Sequence, residues 1–105
     1  METQEKIKYT DFKIELEQAV DTVYNSNQGS TIVFSSGSRY RPLMIPKGIK
    51  SVCFGDETVS FEPEKFPSFN VKKLKGDGCI KVASSGLSFT LENKAVNGGV
   101  VVLVS

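Results

Sequence analysis

Near the N-terminus, apolar residues recur every three or four positions, which is the spacing of one helix face. Thr10 precedes this stripe and its hydroxyl can cap the first turn, while the small polar residues 25–29 can end the helix. The pattern predicts an amphipathic helix over about residues 10–26. Its apolar face comprises Phe12, Leu16, Ala19, Val20 and Val23, widened by Ile14 and Tyr24.

After Gly29 the pattern changes to short β-branched and aromatic runs, separated by Gly, Pro, Ser and Asn. This alternation of runs and turn residues is typical of short strands. We predict strands near Thr31–Ser35, Ser51–Phe54, Thr58–Phe61, Phe69–Lys75, Cys79–Ala83, Leu87–Glu92 and Val100–Val104.

Two connections between these runs have turn chemistry. Gly76-Asp77-Gly78 and Ser84-Ser85-Gly86 both supply glycine for positive φ, so they predict an antiparallel meander. We therefore expect a single α+β domain over residues 1–105, with its β region over about 30–105. The N-terminal helix would pack on a mainly antiparallel β-sandwich or small barrel of about six to seven short strands.

The run Val100–Val104 does not alternate, so both of its faces are apolar. Such a strand has to be paired with neighbouring strands and covered on both sides. The cover comes either from the protein's own helix or from a neighbouring subunit. For the second case the candidate interface residues are Val100, Val102 and Val104.

Composition narrows the chemistry, because the chain has no His and no Trp and only two cysteines, 26 positions apart. The residue types from which small enzymes most often build sites are therefore missing. We predict no catalytic residue, no metal site and no cofactor, and hence a non-enzymatic protein. Each cysteine is flanked by strand-like residues, so Cys53 and Cys79 are interpreted as buried free thiols in a reducing compartment; the alternative is that they pair with each other.

No apolar run is long enough for a membrane span, and the charged segment 1–6 lacks the apolar core of a secretion signal. We expect a cytoplasmic protein with no membrane partner.

Both arginines of the chain flank one tyrosine, at Arg39, Tyr40 and Arg41, just after a Gly and Ser cluster. Residues 36–55 carry a net charge of +4 within a chain whose total is only +1. Arginine and tyrosine are enriched at interface hot spots, because the guanidinium binds carboxylates and the ring supplies rigid contact area. These three residues are the predicted partner-binding site; the alternative is an ordinary solvated loop.

A second basic group, Lys72, Lys73 and Lys75, could follow the phosphates of a nucleic acid. The near-neutral pI of 7.7 disfavours that interpretation, and lysines also protect exposed strand edges. The acidic residues Asp56, Glu57, Glu62 and Glu64 match neither a calcium loop nor a glycosidase pair, so we interpret them as solvated turns.

Two functions remain open. The first is a structural or interaction protein that self-associates into a homo-oligomer or docks on a larger assembly, such as a small phage virion component. The alternative is a monomeric binding module or inhibitor that acts on a host protein or a nucleic acid.

Overall fold

A computed structural model describes residues 3–105 of the chain; Met1 and Glu2, part of the charged N-terminal segment, lie outside the described residues. One helix is followed by five strands. They are α1 (Thr3–Tyr24), β1 (Thr31–Phe34), β2 (Ser51–Glu62), β3 (Phe69–Lys81), β4 (Phe89–Val96) and β5 (Gly99–Val104).

The predicted helix is present, but it begins seven residues before Thr10. Thr10 is therefore not a cap, and its hydroxyl donates to the carbonyl of Lys6 at 3.0 Å, within the helix. The added turns are held by Tyr9, whose ring stacks on Phe66 at 5.2 Å between centroids. The predicted stripe is buried throughout, whereas Ile14 is 47% exposed and does not widen it.

The strands form one open sheet in the order β1-β4-β5-β3-β2, and α1 packs against β1, β3, β4 and β5. Neighbours are antiparallel except β3 and β5, which run parallel. The α+β class with an N-terminal helix is confirmed, but the predicted sandwich or barrel is wrong. The reason is that four predicted strands merge into two long ones, β2 and β3, so too few strands remain for a second sheet.

The Gly76-Asp77-Gly78 hairpin is also wrong, because β3 continues through it. Gly78 pairs with Phe54 and Lys75 pairs with Asp56, and a register shift between these pairs absorbs the extra residue. Gly76 passes so close to β2 that a Cβ there would collide with the Phe54 side chain. The glycine at this position allows a close approach of two strands rather than a turn.

β2 folds back on itself. A straight strand of its length would span roughly 36 Å, yet the amide of Lys50, just before β2, donates to the carbonyl of Glu62, its last residue, at 2.8 Å. The bend lies where the register with β3 shifts, and Glu57 has a φ of +60° there. This fold-back brings the two ends of β2 together.

The Ser84-Ser85-Gly86 turn is confirmed, since the amide of Gly86 donates a hydrogen bond to the carbonyl of Ala83 at 3.0 Å. The chain does not continue as a meander, because β5 lies between β3 and β4. The most apolar strand thus takes the centre of the sheet, where it is paired on both edges.

Candidate functional site

A cleft of about 920 Å³ lies between the helix and the segment that follows β1. One wall is the polar side of α1, and the other is the segment Ser36–Met44, which includes the predicted Arg39, Tyr40 and Arg41. Apolar residues from α1, β1 and that segment also line the cleft: Ala19, Ile32, Phe34, Pro42 and Leu43.

Hydrogen bonds fix the loop that carries the two arginines. The amide of Ser35 donates to the carbonyl of Tyr40 at 3.1 Å, and the Ser38 hydroxyl donates to the carbonyl of Val33 at 2.7 Å. Gly37 supplies the positive φ of +83° that the turn between them requires. The loop therefore returns Tyr40 to the edge of β1, where its ring lies 5.8 Å from that of Phe34.

The far end of the segment is anchored as well. Leu43 is buried and exchanges two backbone hydrogen bonds with Leu87, at 3.1 and 2.8 Å. Met44, the next residue, is 59% exposed at the margin of the cleft. The segment is thus pinned at both ends, which holds the side chains between them near a fixed position.

The charges of the cleft are unbalanced. Within residues 3–105 the sole ion pair joins Lys8 to Glu5, so neither Arg39 nor Arg41 has a carboxylate within 4.0 Å. Arg39 instead lies 6.0 Å from the ring centroid of Tyr40, at cation–π distance. Glu15 is the sole acidic side chain among the lining residues. The guanidinium groups of Arg39 and Arg41 are therefore available to a ligand, next to the apolar side chains that line the cleft.

This arrangement suits an extended ligand with both acidic and apolar groups. A guanidinium donates two parallel hydrogen bonds to a carboxylate, and it is more weakly hydrated than an ammonium group. Tyr40 is 41% exposed and presents a rigid ring beside them. Among the described residues that line the cleft, one is a carboxylate, Glu15, and none is His or Cys.

Arg39, Tyr40 and Arg41, the predicted partner-binding residues, all line the cleft, but its opposite wall was not predicted. That wall consists of exposed residues of α1, namely Glu15, Gln18 and Thr22. Their spacing of three and four positions places them on one helix face. That helix face was not among the predicted site residues, because no pattern in the sequence shows that residues 36–44 lie opposite it.

The candidate interface strand lies inside the fold. β5 is paired with both β4 and β3, so the prediction that this strand is paired is confirmed. Val102 and Val104 are buried in the protein's own core, and Val100 is half-buried. On the other face, Val101 and Leu103 are half-buried.

The lysines of β3 do not form a simple alternating row. Lys72, Lys73 and Lys75 are all exposed, and Lys73 has a φ of +71° and places its ammonium group 5.7 Å from the ring centroid of Tyr24. The backbone amide of Lys73 also donates to the Glu57 carboxylate at 2.7 Å. Nucleic-acid binding by this group stays a prediction.

The cysteines are not free thiols. Cys53 and Cys79 are direct partners in the β2–β3 register, and they form a disulfide with a Cα–Cα distance of 3.9 Å. Cys53 points away from the core, because its strand neighbours Val52 and Phe54 are buried, and Cys79 is exposed. The prediction failed because the register that aligns the two strands depends on β3 continuing through its glycines.

Comparison with models of protein families, with curated proteins and with solved structures finds no match for this chain. The helix of the described part is too polar to cross a lipid bilayer. The site must therefore be interpreted from its own geometry.

Proposed function

We propose that this protein is a non-enzymatic interaction module that binds an acidic segment of a protein partner in the cleft between α1 and residues 36–44. The observation that carries this proposal is the pair Arg39 and Arg41, which have no ionic partner among residues 3–105, beside the apolar lining of the cleft and on a loop held at both ends by hydrogen bonds. A carboxylate of the partner would bind Arg39 or Arg41, and an apolar side chain would pack on Tyr40 and Met44.

A protein partner fits this cleft better than a nucleic acid does. Glu15 lines the helix wall of the same cleft and would repel a phosphate backbone, whereas a peptide can place an uncharged residue there. The apolar lining also has no role in tracking phosphates, whose recognition rests mainly on charge.

Docking on a larger assembly would use the same cleft. Self-association through the valine strand is less well supported, because Val102 and Val104 are covered by the protein's own core. The Cys53–Cys79 disulfide suits an oxidising compartment better than a reducing cytosol. A partner met outside the cytosol is therefore the better expectation for the oxidised protein.

The test is a selection of random displayed peptides on the oxidised protein, followed by affinity measurement with purified peptides. We expect enrichment of peptides that combine Asp or Glu with an aromatic or aliphatic residue. The double variant Arg39→Gln/Arg41→Gln should weaken their binding by about 30-fold or more, since each lost charge-assisted hydrogen bond is worth roughly 2 kcal/mol.

The matched control is Lys72→Gln/Lys75→Gln, which removes the same charge at exposed positions of β3. It should leave peptide affinity unchanged. Equal loss in both double variants would show that net charge alone drives binding, and the proposal would fail. A labelled single-stranded oligonucleotide that binds more tightly than the peptides would favour the nucleic-acid alternative instead.

A further inference from the structure

The fold-back of β2 places a carboxylate beside the two cysteine sulfurs. Oε1 of Glu62 lies 3.3 Å from Sγ of Cys53 and 3.5 Å from Sγ of Cys79. The ligand atoms of these three residues all lie within 4.8 Å of one another. The three residues come from both ends of β2 and from β3, and they meet only because the fold brings them together.

We propose that the reduced form of this protein binds a zinc ion through Cys53, Cys79 and Glu62. Two thiolates and one carboxylate form a ligand set that zinc accepts in proteins. The disulfide and the metal site exclude each other, because both use the same sulfur atoms. Oxidation state would therefore decide whether the ion is bound.

The distances already approach those of a tetrahedral zinc site. With Zn–S bonds near 2.3 Å and Zn–O bonds near 2.1 Å, tetrahedral angles separate sulfur from oxygen by about 3.6 Å and the two sulfurs by about 3.8 Å. The observed sulfur-to-oxygen distances of 3.3 and 3.5 Å are close to the first value. The two sulfurs are bonded to each other in the disulfide, so they would have to separate on reduction, and the Glu62 side chain would adjust with them.

The surroundings of Glu62 agree with this assignment. Among the residues that the structure describes, no Lys or Arg lies within 4.0 Å of its carboxylate, which faces two sulfurs that carry no proton in the disulfide. Glu62 and Cys79 are exposed and Cys53 is half-buried, so an ion can enter from solvent. Water can occupy the fourth position.

The zinc site would form in two steps, reduction of the disulfide and then binding of Zn²⁺. Two thiol molecules of the glutathione class reduce the disulfide and leave as their own disulfide, while Cys53 and Cys79 become thiols. Zn²⁺ then binds both sulfurs as thiolates and releases their two protons, and the carboxylate of Glu62 completes the protein ligands.

The experiment uses the full chain, reduced with a water-soluble phosphine that is then removed without oxygen. Co²⁺ is the spectroscopic probe, and Zn²⁺ affinity is measured by competition with a coloured chelator. We expect one ion per reduced chain, with sulfur-to-cobalt charge-transfer absorption. The oxidised protein should bind Zn²⁺ at least about 100-fold more weakly, because its sulfurs cannot ligate.

Glu62→Gln keeps the side-chain shape and should lower the Zn²⁺ affinity of the reduced chain by about tenfold or more. Glu64→Gln, two residues away and exposed, is the matched control and should bind like the wild type. Unchanged affinity in Glu62→Gln would overturn the assignment, as would equal affinity of the oxidised and reduced forms.

Reduction removes the covalent link between β2 and β3, so circular dichroism is recorded before and after Zn²⁺ is added to follow the fold. A spectrum that Zn²⁺ restores in the wild type, but not in Glu62→Gln, supports the site. A reduced chain that stays unfolded with Zn²⁺, or stays folded without any cobalt–sulfur absorption, contradicts it.

Discussion

The side chain of Asn93, in β4, caps the C-terminal end of helix α1. Its Nδ2 donates to the carbonyl of Val23 at 2.9 Å. The same nitrogen lies 3.2 Å from the carbonyl of Tyr24 and 3.1 Å from that of Ser26. These carbonyls belong to the last turn and its exit, where helix acceptors lack partners within the helix. Asn93 is only 2% exposed, so this helix cap is a buried side chain that belongs to a strand.

Asn93→Ala should therefore lower the free energy of unfolding by about 2–3 kcal/mol, since buried carbonyls would lose their donor. Asn93→Asp should cost more at neutral pH, because it puts a carboxylate against carbonyl oxygens. Urea unfolding measures both. Asn70→Ala, at an exposed position of β3, is the control and should cost less than about 0.5 kcal/mol. Equal losses of unfolding free energy in Asn93→Ala and Asn70→Ala would contradict a capping role for Asn93.

The bend of the β2–β3 pair depends on Glu57. Its carboxylate accepts from the amide of Lys73, and both residues have positive φ. Glu57→Ala should reduce stability by about 1–2 kcal/mol, because a charge-assisted bond that holds two unfavourable backbone conformations is lost. Thermal or urea unfolding would detect this. Glu64→Ala removes an equal charge without such a bond, and a comparable loss there would argue against the role of Glu57.

The C-terminal strand offers a test at adjacent positions. Val102 is 0% exposed, whereas Val101, its neighbour on the opposite face, is half-buried. Val102→Asp should unfold the protein, since an unpaired buried charge costs more than about 4 kcal/mol. Val101→Asp should leave a folded chain with a lower midpoint in urea. A folded Val102→Asp variant by circular dichroism would show that the core is placed wrongly.

Tyr9 predicts how stability changes at alkaline pH. Burial raises the pKa of Tyr9 above its ordinary value of 10.0, and its hydroxyl donates to the carbonyl of Pro67 at 2.9 Å. Because the folded pKa exceeds the unfolded one, this stabilisation is complete below about pH 10 and is lost as the pH rises through the folded value. Unfolding free energies from pH 8 upwards, compared with Tyr9→Phe, measure the effect.

The unfolding free energy of Tyr9→Phe should fall less steeply with rising alkaline pH than that of the wild type. Tyr40→Phe, which alters an exposed ring, should keep the wild-type profile. If all three proteins decline in parallel, Tyr9 does not control the alkaline limb.

The sequence predicted what depends on local pattern. The apolar stripe from Phe12 to Val23 is buried as its spacing indicated, and the runs at β1 and β5 became strands. The same reasoning failed at Thr10, a good cap residue that lies inside the helix. There the packing of Tyr9 against Phe61 and Phe66 extends the helix beyond the local signal.

The larger errors arise from contacts between distant residues. Gly76 and Gly78 have the composition of a hairpin, but the approach of Phe54 to Gly76 requires glycine for a different reason. Once β3 continues through them, Cys53 and Cys79 face each other and the fold-back adds Glu62. No local pattern contains this information, because it depends on the register between β2 and β3.

The candidate site shows the same division. The Arg39-Tyr40-Arg41 group could be predicted from residue types alone. The cleft could not, because its second wall belongs to α1 and depends on how the helix lies relative to β1 and the following loop. Likewise, only the folded structure shows that neither arginine has an ionic partner within the described residues 3–105.

Whether an acidic protein segment binds in this cleft can be tested by locating the residues that it contacts. Uniformly ¹⁵N-labelled protein is titrated with a selected acidic peptide, and amide shifts are mapped on the structure. We expect the shifts to concentrate in residues 36–44 and 15–22, and to vanish in Arg39→Gln/Arg41→Gln. Shifts centred on residues 72–75, or on the outer face at Val101 and Leu103, would contradict binding in the cleft.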